Sequence, residues 1–209
     1  VNRLTASLLL LALAVLTGCK KQEAFEMMTP PEGTPAANAP LQKLWPAPAF
    51  TLTERSGQPV SSETLAGKVW VADFFYTTCP GPCPMLSSRL SDLQEKLAGK
   101  DDVRLVSISL DPEKDTPEVL QAYATKFKAG QNWLFFTGEK AKIHDLAMKG
   151  FKMSAVEDRA QAEPIVHSTK LVLVDRSGTV RGFYEGVGAD DTAKLLADID
   201  RLLQEKPTP

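Results

Sequence analysis

One stretch constrains this chain more than any other: Asp73-Phe74-Phe75-Tyr76-Thr77-Thr78-Cys79-Pro80-Gly81-Pro82-Cys83-Pro84. The run Val69 to Phe75 is almost wholly apolar, as expected of a central strand covered on both faces. It leads into two cysteines set four apart, and an amphipathic pattern follows. Each of Cys79, Gly81 and Cys83 precedes a proline, which pushes it toward extended geometry. The pair is therefore expected on a stiff loop and not within a helical turn. Pro84 suits the first position of a helix, where a missing N–H costs nothing, which makes Cys83 the expected N-cap. The positive end of the helix dipole favours a thiolate there.

The 209 residues are 43% hydrophobic and 24% charged, enough for one domain with a full core once the N-terminus is set aside. A net charge of −2 gives no reason to expect a nucleic-acid partner. With three cysteines and two histidines, any metal or redox site is small. A bridge closing so short a loop constrains little of the unfolded chain, so the Cys79–Cys83 pair reads as functional, not as a structural staple.

Residues 1–18 read as a lipoprotein signal peptide: Arg3 precedes an apolar run, Leu8 to Leu16, too short to span a bilayer. Leu16-Thr17-Gly18-Cys19 looks like a bacterial lipobox, which makes Cys19 the lipidation site and puts the domain outside the cytoplasm, close to a membrane. Residues 19–47 read as a proline-rich tether, on the order of 30 Å long as a coil. Residues 48–209 form the domain.

Within it, Phe50 to Thr53 and Pro59-Val60 flank a Ser56-Gly57 turn and predict an N-terminal β-hairpin. Leu86, Leu90, Leu93 and Leu97 predict a helix closed by Gly99, and Thr116-Pro117 opens a second one running to about Phe127. Strands are expected at Val103 to Leu110 and Trp133 to Phe136, a helix from Lys140 to Lys149, and a hairpin of Leu171 to Val174 with Thr179 to Tyr184. A last helix, Thr192 to Leu203, is expected to bury Leu195, Leu196, Ile199, Leu202 and Leu203. This order, with a dithiol at a strand–helix junction, predicts an α/β, thioredoxin-like fold: a central mixed sheet flanked by helices.

Two thiols on such a loop can close to a disulfide or hold one soft metal ion. A zinc tetrahedron would need both histidines, and a four-iron cluster needs four cysteines. Copper in a two-sulfur, one-nitrogen site needs only Cys79, Cys83 and one histidine. His144 falls on the outer side of its predicted helix. His167, in the loop entering the strand at Leu171, stands where thioredoxins carry a substrate-docking cis-proline. That disfavours general disulfide exchange and points to His167 as the third ligand. Asp73, a lone acid in an apolar strand, could relay protons for thiol chemistry. Asp111 could give a weak or indirect contact to the metal, or simply turn the chain ahead of Pro112.

Three segments in order carry a family resemblance. They are Val69-Trp-Val-Ala-Asp-Phe-Phe-Tyr with Cys79-Pro-Gly-Pro-Cys83-Pro84, Ser107-Ile-Ser-Leu-Asp111-Pro-Glu-Lys-Asp115-Thr-Pro, and His167-Ser-Thr-Lys-Leu-Val-Leu-Val-Asp. Together they resemble the Sco/SenC family over about residues 45–204. The resemblance implies a membrane-tethered carrier of one copper ion, Cu(I) or Cu(II), held by Cys79, Cys83 and His167, with Asp111 less settled. It implies a role in building the dinuclear copper centre of cytochrome c oxidase, with no catalytic residue in the turnover sense. The partners would be the oxidase's copper-bearing subunit and other copper carriers or thiol reductants. Many members have a transmembrane helix where this chain shows a lipobox. Two further readings use the same thiols: an oxidoreductase that reduces the acceptor's cysteines through a Cys79–Cys83 disulfide, and a thiol peroxidase.

Overall fold

A computed structural model describes residues 40–153, 155–157, 165–187 and 191–205. The expected signal peptide, Cys19 and most of the tether lie outside the described residues. Seven strands form one mixed sheet in the order β2-β1-β5-β4-β3-β8-β9. They are β1 (Thr51–Glu54), β2 (Pro59–Ser61), β3 (Val69–Phe75), β4 (Val103–Ser109), β5 (Trp133–Thr137), β8 (Lys170–Val174) and β9 (Val180–Glu185). The remaining two, β6 (Ala155–Glu157) and β7 (Ile165–His167), pair antiparallel in a separate two-stranded sheet. The helices are α1 (Cys83–Lys96), α2 (Pro117–Lys126), α3 (Lys140–Asp145) and α4 (Thr192–Gln204).

β3 lies between parallel β4 and antiparallel β8, and all seven of its residues are buried. That is what its unbroken apolar pattern requires. β3, α1, β4, α2 and β5 form two successive parallel crossovers, and α1 and α2 run side by side. Ser87 Oγ lies 2.9 Å from Tyr123 Oη, Ser91 Oγ donates to the Phe127 carbonyl, and Gln94 Nε2 donates to the Lys128 carbonyl. Phe75 meets Tyr123 of α2 at 5.2 Å between ring centroids. On the opposite face of the sheet Phe151 packs edge-on against Trp70 and Phe74. Side chains alternate along a strand, so Asp73 shares the α1–α2 face with Phe75.

Local chemistry explains most boundaries. The Thr116 hydroxyl accepts from the Val119 N–H and Pro117 fills the first helical position, so α2 begins where the sequence predicts. Gly57 takes φ +81° at the turn of the β1–β2 hairpin. The hairpin then pairs with β5, a neighbour 80 residues on that nothing local specifies. The expected helix from Lys140 to Lys149 is α3 followed by a π-helical turn, Leu146–Gly150, which ends against Phe151. In α4, Leu195, Ile199 and Leu202 are buried as expected, whereas Leu196 and Leu203 are only partly so.

The start and end of the domain are tied together by one guanidinium. Arg181 on β9 is 5% exposed. It donates to the backbone carbonyls of Leu41 and Gln42 and pairs with Asp175 at 2.7 Å and Glu205 at 2.8 Å. Backbone bonds from Leu44 to Val180, Val180 to Trp45 and Ala47 to Gly178 hold the entering chain against the β8–β9 turn.

Candidate metal centre

β3 delivers the two cysteines. It ends at buried Phe75, Tyr76 just beyond it is buried too, the Cys79 N–H donates to the Tyr76 carbonyl at 3.3 Å, and Cys83 opens α1. Both thiols are free and buried, Cys79 at 6% exposure and Cys83 at 0%. Pro80, Pro84 and Met85, their neighbours along the chain, are exposed.

Two sequence expectations change here. Cys83 is the first residue of α1 and Pro82 its N-cap, one position earlier than predicted, so the residue before Pro84 is helical after all. The bias against helix before proline is weakest in a first turn, which needs no N–H from Pro84. The dipole also does not make Cys83 a ready thiolate. Burial pushes its thiol far above the ordinary range, the Cys79 thiol adds to this, a backbone hydrogen bond from Tyr76 opposes it, and the Asp73 carboxylate raises it further. Desolvation outweighs the helix end because no solvent reaches the sulfur.

Asp73 lies on the same face of the sheet. It is 1% exposed and opposite Ser107 in the β3–β4 ladder. Trp133 Nε1 donates to Ser107 Oγ at 2.8 Å, and Ser107 Oγ donates in turn to Asp73 Oδ1 at 2.5 Å. Oδ2 is buried without a hydrogen-bond partner. Burial lifts this carboxyl to about 7, with the Ser107 bond opposing. An unpaired buried oxygen on a group that titrates near neutrality suits a proton acceptor for a thiol.

The loop itself is clamped by Asp115, which sequence reasoning passed over. Asp115 is fully buried, and its carboxylate accepts from the Thr77 N–H at 3.0 Å, Thr77 Oγ1 at 2.5 Å and Ser109 Oγ at 2.5 Å. The signal was an acid one residue before a helix cap, which looks like ordinary favourable charge at a helix start. Asp111 is 5% exposed, donates its N–H to Ser109 Oγ, and pairs its carboxylate with Lys114 at 2.9 Å. It is thus tied to the loop only through Ser109 and Asp115, and Lys114 already occupies an oxygen. Nor does His144 face solvent: it is half-buried, with Nε2 3.1 Å from the Leu110 carbonyl.

His167 is the last residue of β7, opposite Ala155, so it lies on a paired strand and not on a loop. Its side chain falls outside what is described. Among the described side chains no three metal-binding residues come together. The backbone just after His167 does meet the dithiol helix. An ideal Cβ on Gly186 would lie 2.3 Å from both the Thr169 carbonyl oxygen and Leu86 Cδ1. Thr169 is two residues past His167, and Leu86 is one helical turn past Cys83. The segment leading out of the histidine strand therefore passes the first turn of α1 with Gly186 between them.

The SCO1/SenC family model matches residues 40–204. The chain belongs to that family. A solved SCO1/SenC family lipoprotein from Bacillus anthracis is 31% identical with a TM-score of 0.74, covering 79% of this chain and 100% of that one. BsSco, a member of the Sco family of cytochrome c oxidase assembly proteins in which a disulfide switch was identified, is 32% identical with a TM-score of 0.72, covering 80% and 100%. Copper-bound ScoI from Bradyrhizobium japonicum is 25% identical with a TM-score of 0.63, covering 75% and 98%. The thioredoxin-like core with its N-terminal hairpin is the fold of this family.

Proposed function

We propose that this protein carries one copper ion on Cys79, Cys83 and His167 and helps to fill the dinuclear copper site of cytochrome c oxidase. The observation that carries the reading is two buried thiols at the first turn of α1 and its preceding loop, supported by Thr169, two residues past His167, which approaches Leu86 of that turn across Gly186. Thiolate and imidazole are the donors copper selects, and two sulfurs with one nitrogen exclude a closed zinc tetrahedron. Family membership and the copper-bound Bradyrhizobium relative support it. So does BsSco, whose family assembles cytochrome c oxidase.

Copper loading must displace the thiol protons, because burial keeps Cys83 protonated. Asp73, with Oδ2 free of hydrogen-bond partners and its carboxyl lifted to about 7, is a buried group able to take up a proton once copper displaces it. Asp115 keeps the loop from spreading while the protons leave. Oxidation of the pair to a disulfide removes both ligands, so loading requires a reductant outside the cytoplasm. The same acid favours a second reading, in which the pair reduces the acceptor's cysteines before metal arrives.

Attachment follows from the N-terminus. Cleavage before Cys19 and acylation of that residue anchor the chain, and residues 19–47 give a domain outside the cytoplasm a reach on the order of 30 Å toward a partner in the same membrane. The lipoprotein from Bacillus anthracis supports this. Among the described residues no helix is long and apolar enough to cross a membrane.

The test is anaerobic copper titration of the reduced full-length chain against Cys79→Ser, Cys83→Ser and His167→Ala. One equivalent bound by the wild type and weakened in all three variants is the expected outcome. A reduced chain that binds no copper but turns over a disulfide substrate would replace the first reading with the second.

A further inference from the structure

Gly186 is buried immediately past the end of β9. Its N–H donates to the Thr169 carbonyl at 3.0 Å and closes the last rung between β8 and β9. On its other side stands Leu86, 0% exposed, on the same face of α1 as Cys83. A Cβ at position 186 would meet Leu86 Cδ1 and the Thr169 oxygen at 2.3 Å each, and Leu171 Cγ at 3.5 Å. Residue 186 is thus a spacer one hydrogen thick between the dithiol helix and the backbone that leads out of His167.

We infer that Gly186 is a positioning residue for the metal site, setting how close the His167 strand comes to the two thiols. This rests on the reading of His167 as a ligand. The physical case is steric. An ordinary carbon–oxygen approach is about 3.3–3.6 Å, so a methyl at 186 displaces one wall by about 1 Å. Leu86 is fully enclosed and has little room to retreat. The Thr169 oxygen belongs to the backbone and moves only if the chain moves, and His167 moves with it. Ligand geometry tolerates about 0.5 Å. A glycine with no special backbone angle, far along the sequence from any ligand, therefore acts on metal binding through the imidazole.

The test compares Gly186→Ala, His167→Ala and the double variant in the reduced full-length chain under argon, with Cu(II) as probe. Affinity comes from chelator competition, and nitrogen coupling from paramagnetic resonance. His167→Ala is expected to lose its nitrogen coupling. Gly186→Ala is expected to perturb that coupling and weaken binding about 10–100-fold, the range for residues that orient a ligand. The double variant is expected to bind no more weakly than His167→Ala. If His167→Ala changes neither affinity nor spectrum, the ligand assignment fails. If His167→Ala weakens binding but Gly186→Ala matches the wild type, or the two losses simply add, the positioning role fails. Should Gly186→Ala not fold, Gly186→Ala with Leu86→Ala relieves the Leu86 collision and leaves that with Thr169, and the same comparison applies. If that pair is also unfolded, Gly186 serves the fold alone and the inference is overturned.

Discussion

The thiol loop and the histidine strand are held by different physics. The loop grows from β3, buried along its whole length, and is gripped by a fully buried carboxylate that takes three hydrogen bonds from Thr77 and Ser109. The strand β7 belongs to a sheet of two. Just past it, the Thr169 carbonyl accepts from the Gly186 N–H, and Gly186 separates that carbonyl from Leu86. The sulfurs are fixed by charge and core, the imidazole's strand by steric fit. The two halves of the site should therefore fail separately, and each can be disturbed without the other.

The largest effect on the thiol loop is expected at the clamp. Asp115→Ala removes the acceptor for Thr77 and Ser109 and leaves their donors buried. The expected loss is about 1–3 kcal/mol in urea unfolding, together with weaker copper binding through the thiol half of the site. An unchanged unfolding midpoint would dissolve the contrast drawn here.

Asp73 comes next, and its effect depends on pH. Its folded value of about 7 lies above the ordinary 3.8, so the native state holds a proton that the unfolded chain releases. Stability from this group is complete at low pH and is lost as pH rises from about 4 through 7. Relative to Asp73→Asn, the wild type should lose roughly 2–4 kcal/mol between pH 4 and pH 8. Parallel stability curves for the two proteins would refute it. The same variant should slow copper loading near pH 7 without changing the final stoichiometry.

Alkylation resolves the two sulfurs. Cys79 keeps 6% exposure while Cys83 has none and its thiol is held protonated. Iodoacetamide at pH 7 should modify Cys79 first, with mass spectrometry identifying the site. The smallest effect is expected at Asp111: Lys114 already engages it, so Asp111→Asn should shift copper affinity by no more than about twofold, as titration would show.

The sequence made the core of this arrangement readable. β3 announced itself by an unbroken apolar run, α2 by Thr116-Pro117, and the dithiol by its place at a strand end. The features that stayed hidden depend on distance or on burial. β6 and β7 are three residues each, too short for alternation to register, and so His167 read as a loop residue. Asp115 looked like helix-start charge until Thr77, 38 positions earlier, folded onto it. The dipole at the start of α1 was legible, but the desolvation that overrides it at Cys83 exists only once the core has closed. Nothing in the sequence around Gly186 signals its close approach to Leu86, 100 residues away.

The grip of Arg181 on Leu41 and Gln42 has a mechanical consequence. A pull on the chain from its N-terminal side enters the domain at Leu41 and Gln42. That load enters at a buried guanidinium braced by Asp175 and Glu205, and at the backbone bonds joining residues 44–47 to 178–180. Tension is spread across the β8–β9 turn and the end of α4 before it can reach β3. The thiol loop is mechanically insulated from a load that enters through residues 41–47.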